Sequence, residues 1–257
     1  MDTNNKPIIK VQDVTVAYGD FVVMKDINFE VQPGEIFIIL GGSGCGKSTL
    51  LKNMISLIRP VKGKVLIDGA DIVTAEGNQL RDILRKIGVM YQNGALFGSM
   101  NILENICIVF EEFTDLPKEA MELIAMMKLK IVGLENAACK MPSELSGGMK
   151  KRAAIARAMA LDPKIIFLDE PGAGLDPISS AQLDELILEL SRTLKITFVI
   201  VTHELPSIFA VADRVIMLDK NKKTIIAAGS PQQLRDNSDN PWVRQFFNRQ
   251  AQPDSST

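Results

Sequence analysis

The sequence predicts an α/β protein with a largely parallel sheet, and two observations carry this prediction. Short, β-rich apolar runs alternate along the chain with patterns of helical period. The runs are continuously apolar, which is typical of strands buried on both faces of a sheet. The clearest of them are IFIIL at 36–40, KIIFL at 164–168, ITFVIV at 196–201 and RVIML at 214–218. Polar loop residues follow each run, and an open parallel sheet binds its ligands at those carboxyl ends.

Helices are predicted between the strands. From 181 to 194 the apolar residues recur at helical spacing, and the pair Asp176-Pro177 opens that helix. The segment MKKRAAIARAMAL at 149–161 is also predicted to be helical. Because the stretch from about 93 to 161 lacks strong strand runs, we expect a helical subdomain inserted in the α/β core. The segments 8–35 and 61–68 are predicted to be rich in strands.

Composition narrows the class of protein. The 257 residues include 29 Lys and Arg against 31 Asp and Glu, so no strong positive field favours nucleic acid as a partner. The first ten residues are polar where a secretory signal needs an apolar core, and no apolar run approaches the ~18 residues of a membrane span. The three cysteines lack a CxxC pair, which argues against a zinc cage or disulfide scaffold. We therefore expect a soluble cytoplasmic globular protein.

A glycine-rich loop carries the strongest functional signal. Residues 41–48 match GxxxxGK[ST], follow a predicted strand and open a predicted helix. Glycines allow backbone amides to point at phosphate oxygens, and the helix N-terminus adds partial positive charge. Lys47 is expected to reach the β- and γ-phosphates of ATP, and the Ser48 hydroxyl to take one Mg²⁺ position. The predicted ATP-binding residues of the loop are Gly41, Gly42, Ser43, Gly44, Cys45, Gly46, Lys47, Ser48 and Thr49.

Two carboxylates end the strand IIFLDE at 165–170. Unpaired charge at the end of a buried strand is costly unless a cation lies nearby. Asp169 is therefore the expected Mg²⁺ ligand, and Glu170 is placed to polarise the attacking water. An acidic pair could also merely begin a solvated loop, which is the weaker interpretation beside a phosphate loop.

Three further residues are candidates on weaker evidence. His203, the single histidine of the chain, follows a predicted strand on the same sheet edge, which favours a contact to the γ-phosphate over an ordinary packed histidine. Gln92 is a candidate to bridge Mg²⁺ or water to the segment that follows it. Tyr18 is a candidate to stack on adenine, although a tyrosine near a turn is commonly only packed.

A second anion-binding end precedes the helix at 149–161. Ser146, Gly147 and Gly148 offer a hydroxyl and exposed amides at a helix N-terminus, although the chain already has a phosphate loop. Two such sites in one chain suggest that one subunit's loop and another subunit's Ser-Gly-Gly segment close on a single nucleotide. The alternative is an ordinary serine-capped helix.

Together, these motifs resemble the ATP-binding subunits of ABC transporters, in order and spacing, over about residues 8–235. The motifs are GGSGCGKST, Gln92, LSGGM at 145–149, IIFLDE, GLDP at 174–177 and His203. The resemblance implies a RecA-like P-loop core with an antiparallel β-subdomain and an inserted helical subdomain. It also implies a head-to-tail homodimer around two MgATP, in which Asp176 belongs to the dimer-contacting loop. Two positions depart from the usual pattern, since Met149 replaces a glutamine and Gly42 replaces a common proline.

More narrowly, QNGALFGSMNILENI at 92–106 and the segments around LSGGM and GLDP are similar to the Mla-type ATPases. That resemblance implies a peripheral subunit on the cytoplasmic face of a bacterial inner membrane. It implies phospholipid transport with an MlaE-like permease, an MCE-domain periplasmic protein and a STAS-domain protein, and no nucleic acid. An importer of amino acids or another polar solute stays open as an alternative, and so does a soluble ABC protein that acts on ribosomes or DNA.

The segment 236–257 is expected to be a C-terminal extension with a frayed end. In NPWVRQFFNR at 240–249, Trp242, Phe246 and Phe247 are predicted to share one face of a short helix. That face could contact a partner ATPase or pack on the chain's own core, and both interpretations stay open.

Overall fold

A computed structural model describes residues 6–249 and contains two sheets. The larger sheet has six strands in the order β10-β9-β3-β8-β7-β6, and its inner strands are parallel. Its strands are β3 (Ile36–Gly41), β6 (Ile87–Met90), β7 (Ile165–Asp169), β8 (Thr197–Val201), β9 (Arg214–Asp219) and β10 (Thr224–Gly229). The smaller sheet is antiparallel, with the order β2-β1-β4-β5. Its strands are β1 (Ile9–Tyr18), β2 (Phe21–Val31), β4 (Lys62–Ile67) and β5 (Ala70–Asp71).

The central strands are buried on both faces, as their continuous apolar runs predict. Successive side chains of a strand point to opposite faces, so each strand contributes to two separate cores. In β3, Ile36, Ile38 and Leu40 pack with the helical side, while Phe37 and Ile39 pack with the small sheet. The α/β class with a parallel sheet is confirmed.

Helices connect the strands and form most of the segment between Gln92 and Leu161. Three of them lie in that segment: α3 (Ile102–Phe113), α4 (Lys118–Ile131) and α5 (Gly147–Ala158). α5 begins two residues earlier and ends three residues earlier than the pattern at 149–161 suggests. The other helices are α1 (Lys47–Met54), α2 (Gly77–Leu84), α6 (Pro177–Leu194), α7 (Leu205–Val211), α8 (Pro231–Asn237) and α9 (Pro241–Phe247).

The last helix packs against its own chain. Val243 and Phe247 of α9 are buried in the core on the helical side, and the Phe247 ring meets Phe209 of α7 edge to face. Trp242 and Phe246 are partly buried beside the same core. In this chain, therefore, the apolar face of α9 covers its own core. The boundary at 236 stays a prediction, and the expected frayed end at 251–257 lies outside the described residues.

Between residues 6 and 249, no helix combines the length and apolarity that crossing a bilayer requires.

Candidate nucleotide site

A cavity of about 720 Å³ opens at the carboxyl ends of β3, β7 and β8, between the two sheets. It brings together most of the residues that the sequence predicts for ATP. The predicted residues that line it are Tyr18, Gly41, Gly42, Ser43, Gly44, Gly46, Lys47, Ser48, Thr49, Gln92, Glu170 and His203. Cys45 is buried behind the loop, where burial raises the pKa of its thiol, so the site can use only its backbone.

The glycine loop connects β3 to α1 in a shape that side chains would prevent. Gly46 has φ of 99°, and a Cβ there would lie 2.5 Å from Met24 Cε and 2.9 Å from Val23 Cγ1. Lys47 opens α1 and donates hydrogen bonds from Nζ to the carbonyl oxygens of Gly41 at 2.9 Å and Gly42 at 3.2 Å. The Lys47 ammonium group therefore lies within the loop that is expected to bind the phosphates.

The two acidic residues differ in their surroundings. Asp169 ends β7 and is 8% exposed; burial raises the pKa of its carboxyl, and a hydrogen bond from Ser48 opposes that effect. Ser48 Oγ lies 3.1 Å from Asp169 Oδ1, so the predicted Mg²⁺ ligands of the loop and the strand are adjacent. Glu170 follows with φ of 47°, an unusual conformation for a residue with a side chain. A hydrogen bond from its backbone N–H to the Val201 carbonyl oxygen, at 2.8 Å, helps to hold it.

Glu170 and His203, which the sequence places on one sheet edge, are in direct contact. Glu170 Oε1 lies 2.9 Å from His203 Nδ1, and the imidazole is exposed towards the cavity. The other oxygen, Oε2, is buried and has no hydrogen-bond partner among the residues that the structure describes. An orphaned carboxylate oxygen is costly, and it fits a site that receives water. The buried Asp169 beside Ser48 likewise fits a bound cation.

Aromatic side chains form one wall of the cavity. Tyr18 and Phe21 flank the β1–β2 turn and are 52% and 64% exposed, and Lys223 Nζ lies 5.0 Å from the centre of the Phe21 ring. Phe21, Val23 and Phe246 also line the cavity and were missed by the sequence analysis. The turn Tyr18-Gly19-Asp20-Phe21 could have drawn attention to Phe21 as a second aromatic, whereas the position of Phe246 depends on how α9 folds back.

The four residues predicted to act in trans lie together on a different surface. Ser146 caps α5, since its Oγ accepts a hydrogen bond from the Met149 backbone N–H at 3.3 Å. Asp176 caps α6 in the same way, since its Oδ1 accepts hydrogen bonds from the backbone N–H groups of Ile178 and Ser179 at 3.0 Å. The two helix ends adjoin, since a Cβ on Gly147 would lie 3.3 Å from Leu175 Cδ2 and one on Gly148 would lie 3.6 Å from Ser179 Cβ. The capping interpretation of Ser146 is confirmed, and its action in trans stays a prediction.

Comparison with known proteins decides the family. Residues 24–173 match the family described as ABC transporter. Over 247 residues the chain is 40% identical to the intermembrane phospholipid transport system ATP-binding protein MlaF of Escherichia coli K12. The alignment covers 96% of this chain and 91% of that protein. The chain belongs to the ATP-binding proteins of ABC transporters.

Two further similarities agree with this membership. The chain is 41% identical over 240 residues to the probable ribonucleotide transport ATP-binding protein mkl of Mycobacterium leprae, covering 93% of this chain and 68% of that protein. The dimeric, post-hydrolysis structure of the ATP-binding cassette MJ0796 bound to ADP and Pi has a TM-score of 0.78 and 31% identity, and covers 86% of this chain and 98% of that chain. As a member of this family the protein is an ATPase that uses ATP with Mg²⁺ and drives a transporter.

Proposed function

We propose that two copies of this chain hydrolyse ATP head to tail and drive phospholipid transport through a bacterial inner-membrane permease. The observation that carries the proposal is the 40% identity to MlaF over nearly the whole chain, joined to a cavity that gathers the predicted ATP-binding residues. The protein itself would lie on the cytoplasmic face of that membrane as a peripheral subunit.

In cis, the loop 41–49 holds the phosphates of ATP. Lys47 would exchange its bonds to the Gly41 and Gly42 carbonyls for phosphate oxygens. Ser48, Gln92 and Asp169 would hold Mg²⁺, which neutralises phosphate charge when it is bound. Tyr18 would stack on adenine at the aromatic wall.

Glu170 would act as the general base. Its side chain lines the cavity and its Oε1 lies beside His203, so the carboxylate would accept a proton from a water bound there. His203 would hold the Glu170 side chain through Nδ1 and contact the γ-phosphate from the exposed side of its ring.

In trans, the surface of Ser146, Gly147, Gly148 and Asp176 would close on the nucleotide of a second copy. The exposed amides at the start of α5 would then stabilise negative charge that develops on the γ-phosphate. This arrangement explains why the same chain has two phosphate-binding ends but a single phosphate loop.

Transport of a polar solute is the second candidate, because the name of the Mycobacterium leprae relative describes ribonucleotide transport. Both candidates use the same ATPase chemistry. They differ in the permease and in the transported molecule, which are recognised outside this chain.

Capture of the native complex separates the candidates. The tagged chain is recovered in mild detergent from membranes of its own host, with an untagged strain as the control, and the proteins and co-purified lipids are identified by mass spectrometry. We expect an MlaE-like permease, an MCE-domain protein, a STAS-domain protein and enriched phospholipid. Recovery of a solute permease without enriched lipid would discard the phospholipid assignment. Recovery without any membrane protein would favour a soluble ABC protein acting on ribosomes or DNA.

A further inference from the structure

One buried cation lies behind the nucleotide cavity and has no part in the roles assigned above. Lys151 projects from the second turn of α5, and the residue is 6% exposed. Its Nζ donates to the backbone oxygen of Gln92 and, at 3.3 Å, to the backbone oxygen of Glu170. The two carbonyls belong to the residues expected to bind Mg²⁺ and to activate water. The Lys151 side chain thus connects the backbones of Gln92 and Glu170 to α5.

The Gln92 loop is attached to α5 at further points. Arg157 donates to the Gly94 oxygen at 2.9 Å and to the Ala95 oxygen at 2.7 Å. Gly94 approaches the helix so closely that a Cβ would lie 3.4 Å from Ala154 Cβ. Because these contacts extend from Lys151 to Arg157, the segment 92–95 must follow any displacement of α5. Lys151 is the contact that extends the same attachment to the end of β7.

The buried surroundings of Lys151 make its positive charge energetically unfavourable. Burial lowers the pKa of the Lys151 ammonium, and the carboxylates of Glu204, Glu170 and Asp169 oppose that effect. Its direct partners are neutral carbonyl oxygens and not a carboxylate in contact. An apolar side chain of similar volume would avoid that desolvation cost but would leave the two carbonyl oxygens without this donor.

We propose that Lys151 is a positioning residue, which holds the Gln92 and Glu170 backbones at a fixed distance from α5 and so sets their side chains for hydrolysis. The proposal rests on the function proposed above. Since the N-terminus of α5 faces the second subunit, Lys151 transmits the engagement of that end to the subunit's own Gln92 and Glu170. Loss of Lys151 would misplace the base Glu170 and so slow the chemical step. It would leave the contacts of the phosphate loop with ATP unchanged.

The test compares four variants of the full chain in ATP hydrolysis: Lys151→Met, Lys150→Met, Glu170→Gln and the combination of Lys151→Met with Glu170→Gln. Lys151→Met removes the donor and keeps the length of the side chain, and Lys150→Met makes the same change one residue away as the matched control. We expect Lys151→Met to lower kcat by about 10- to 100-fold with KM and monomer affinity for ATP within about twofold of wild type. In the Glu170→Gln background the same change is expected to lower the residual rate by less than it lowers the wild-type rate, because one of the two residues that Lys151 positions has already lost its function.

Three results would overturn the proposal. They are a kcat for Lys151→Met equal to that of Lys150→Met, an equal loss in ATP affinity, or a full additional loss in the Glu170→Gln background. If Lys151→Met does not fold, Lys151→Leu, which also lacks the donor, replaces it, and the same separation of kcat from KM is expected. Wild-type turnover of Glu170→Gln alone would instead refute the proposed role of the base, which distinguishes the two failures.

Discussion

Burial raises the pKa of two carboxyl groups, Asp169 and Asp184, which lie in different surroundings. Asp169 is buried next to Ser48, where Mg²⁺ is expected, whereas Asp184 of α6 is partly buried between α6 and α7. Burial raises the pKa of Asp184 to about 6, the charge of Glu204 adds to the rise, and a hydrogen bond with Ser207 opposes it. Folding therefore disfavours the charged form of the Asp184 carboxyl.

Replacing Asp184 with asparagine is expected to stabilise the protein in a pH-dependent way. The folded pKa is raised above the ordinary value of 3.8, so the penalty is absent below about pH 4 and complete above about pH 6. At pH 7 we expect Asp184→Asn to raise the free energy of unfolding by on the order of 1 kcal/mol, because solvent screens part of the effect. Urea unfolding from pH 4 to pH 8 measures it, with Glu189→Gln on the exposed side of α6 as the control. A gain that does not change with pH would contradict this explanation.

At the residue scale, sequence and structure supply different information. Lys47, Ser48 and Glu170 could be predicted because a loop motif and a strand end fix their chemistry locally. Lys151 could not, since it gains its neighbours only when the Gln92 loop returns to α5, and the only sequence signal for Phe21 is its place beside the β1–β2 turn. Asp184 has no signal at all in the sequence, because its pKa depends on the packing of α7.

At the scale of elements, the N-terminus of α5 has two tasks that can be separated. Ser146 Oγ caps the helix through the Met149 amide, and the same end is predicted to face the nucleotide of a second subunit. Aspartate caps helices as well as serine does, but it places negative charge where phosphate is expected.

Ser146→Asp is therefore expected to separate stability from activity. The variant keeps the cap, so its thermal unfolding should stay near that of wild type, while its hydrolysis should fall by at least about 100-fold. Binding of ATP to the monomer should be unchanged, as titration with a fluorescent ATP analogue would measure. Ser143→Asp, on an exposed position before α5, controls for added charge. Full hydrolysis by Ser146→Asp would reduce Ser146 to a capping residue.

The elements themselves were largely predictable because their signals are local. Continuous apolar runs identified β3, β7, β8 and β9, and Asp176-Pro177 located the start of α6. The sequence predicts too late an end for α5, since the helical pattern continues into a turn at 159–161. The location of α9 needed the folded chain, because an apolar helix face does not reveal which surface covers it.

At the scale of the whole molecule, the distribution of the site over two surfaces is the main feature. The cavity holds Lys47, Glu170 and His203, while Ser146 and Asp176 lie together at the start of α5 and α6. In the proposed arrangement, one chain presents both halves of a nucleotide site without joining them. A head-to-tail dimer would bring each cavity against the partner's helix ends, and ATP would then link the two subunits.

The most direct test of this account is ATP turnover and oligomeric state of Glu170→Gln, measured together by single-turnover hydrolysis and light scattering. We expect turnover to fall by at least about 100-fold, with ATP affinity kept and an ATP-dependent dimer accumulating, because the closed state can no longer hydrolyse its nucleotide. Glu189→Gln is expected to match wild type. Turnover at the wild-type rate by Glu170→Gln, or full hydrolysis by a protein that stays monomeric with ATP, would contradict the shared site.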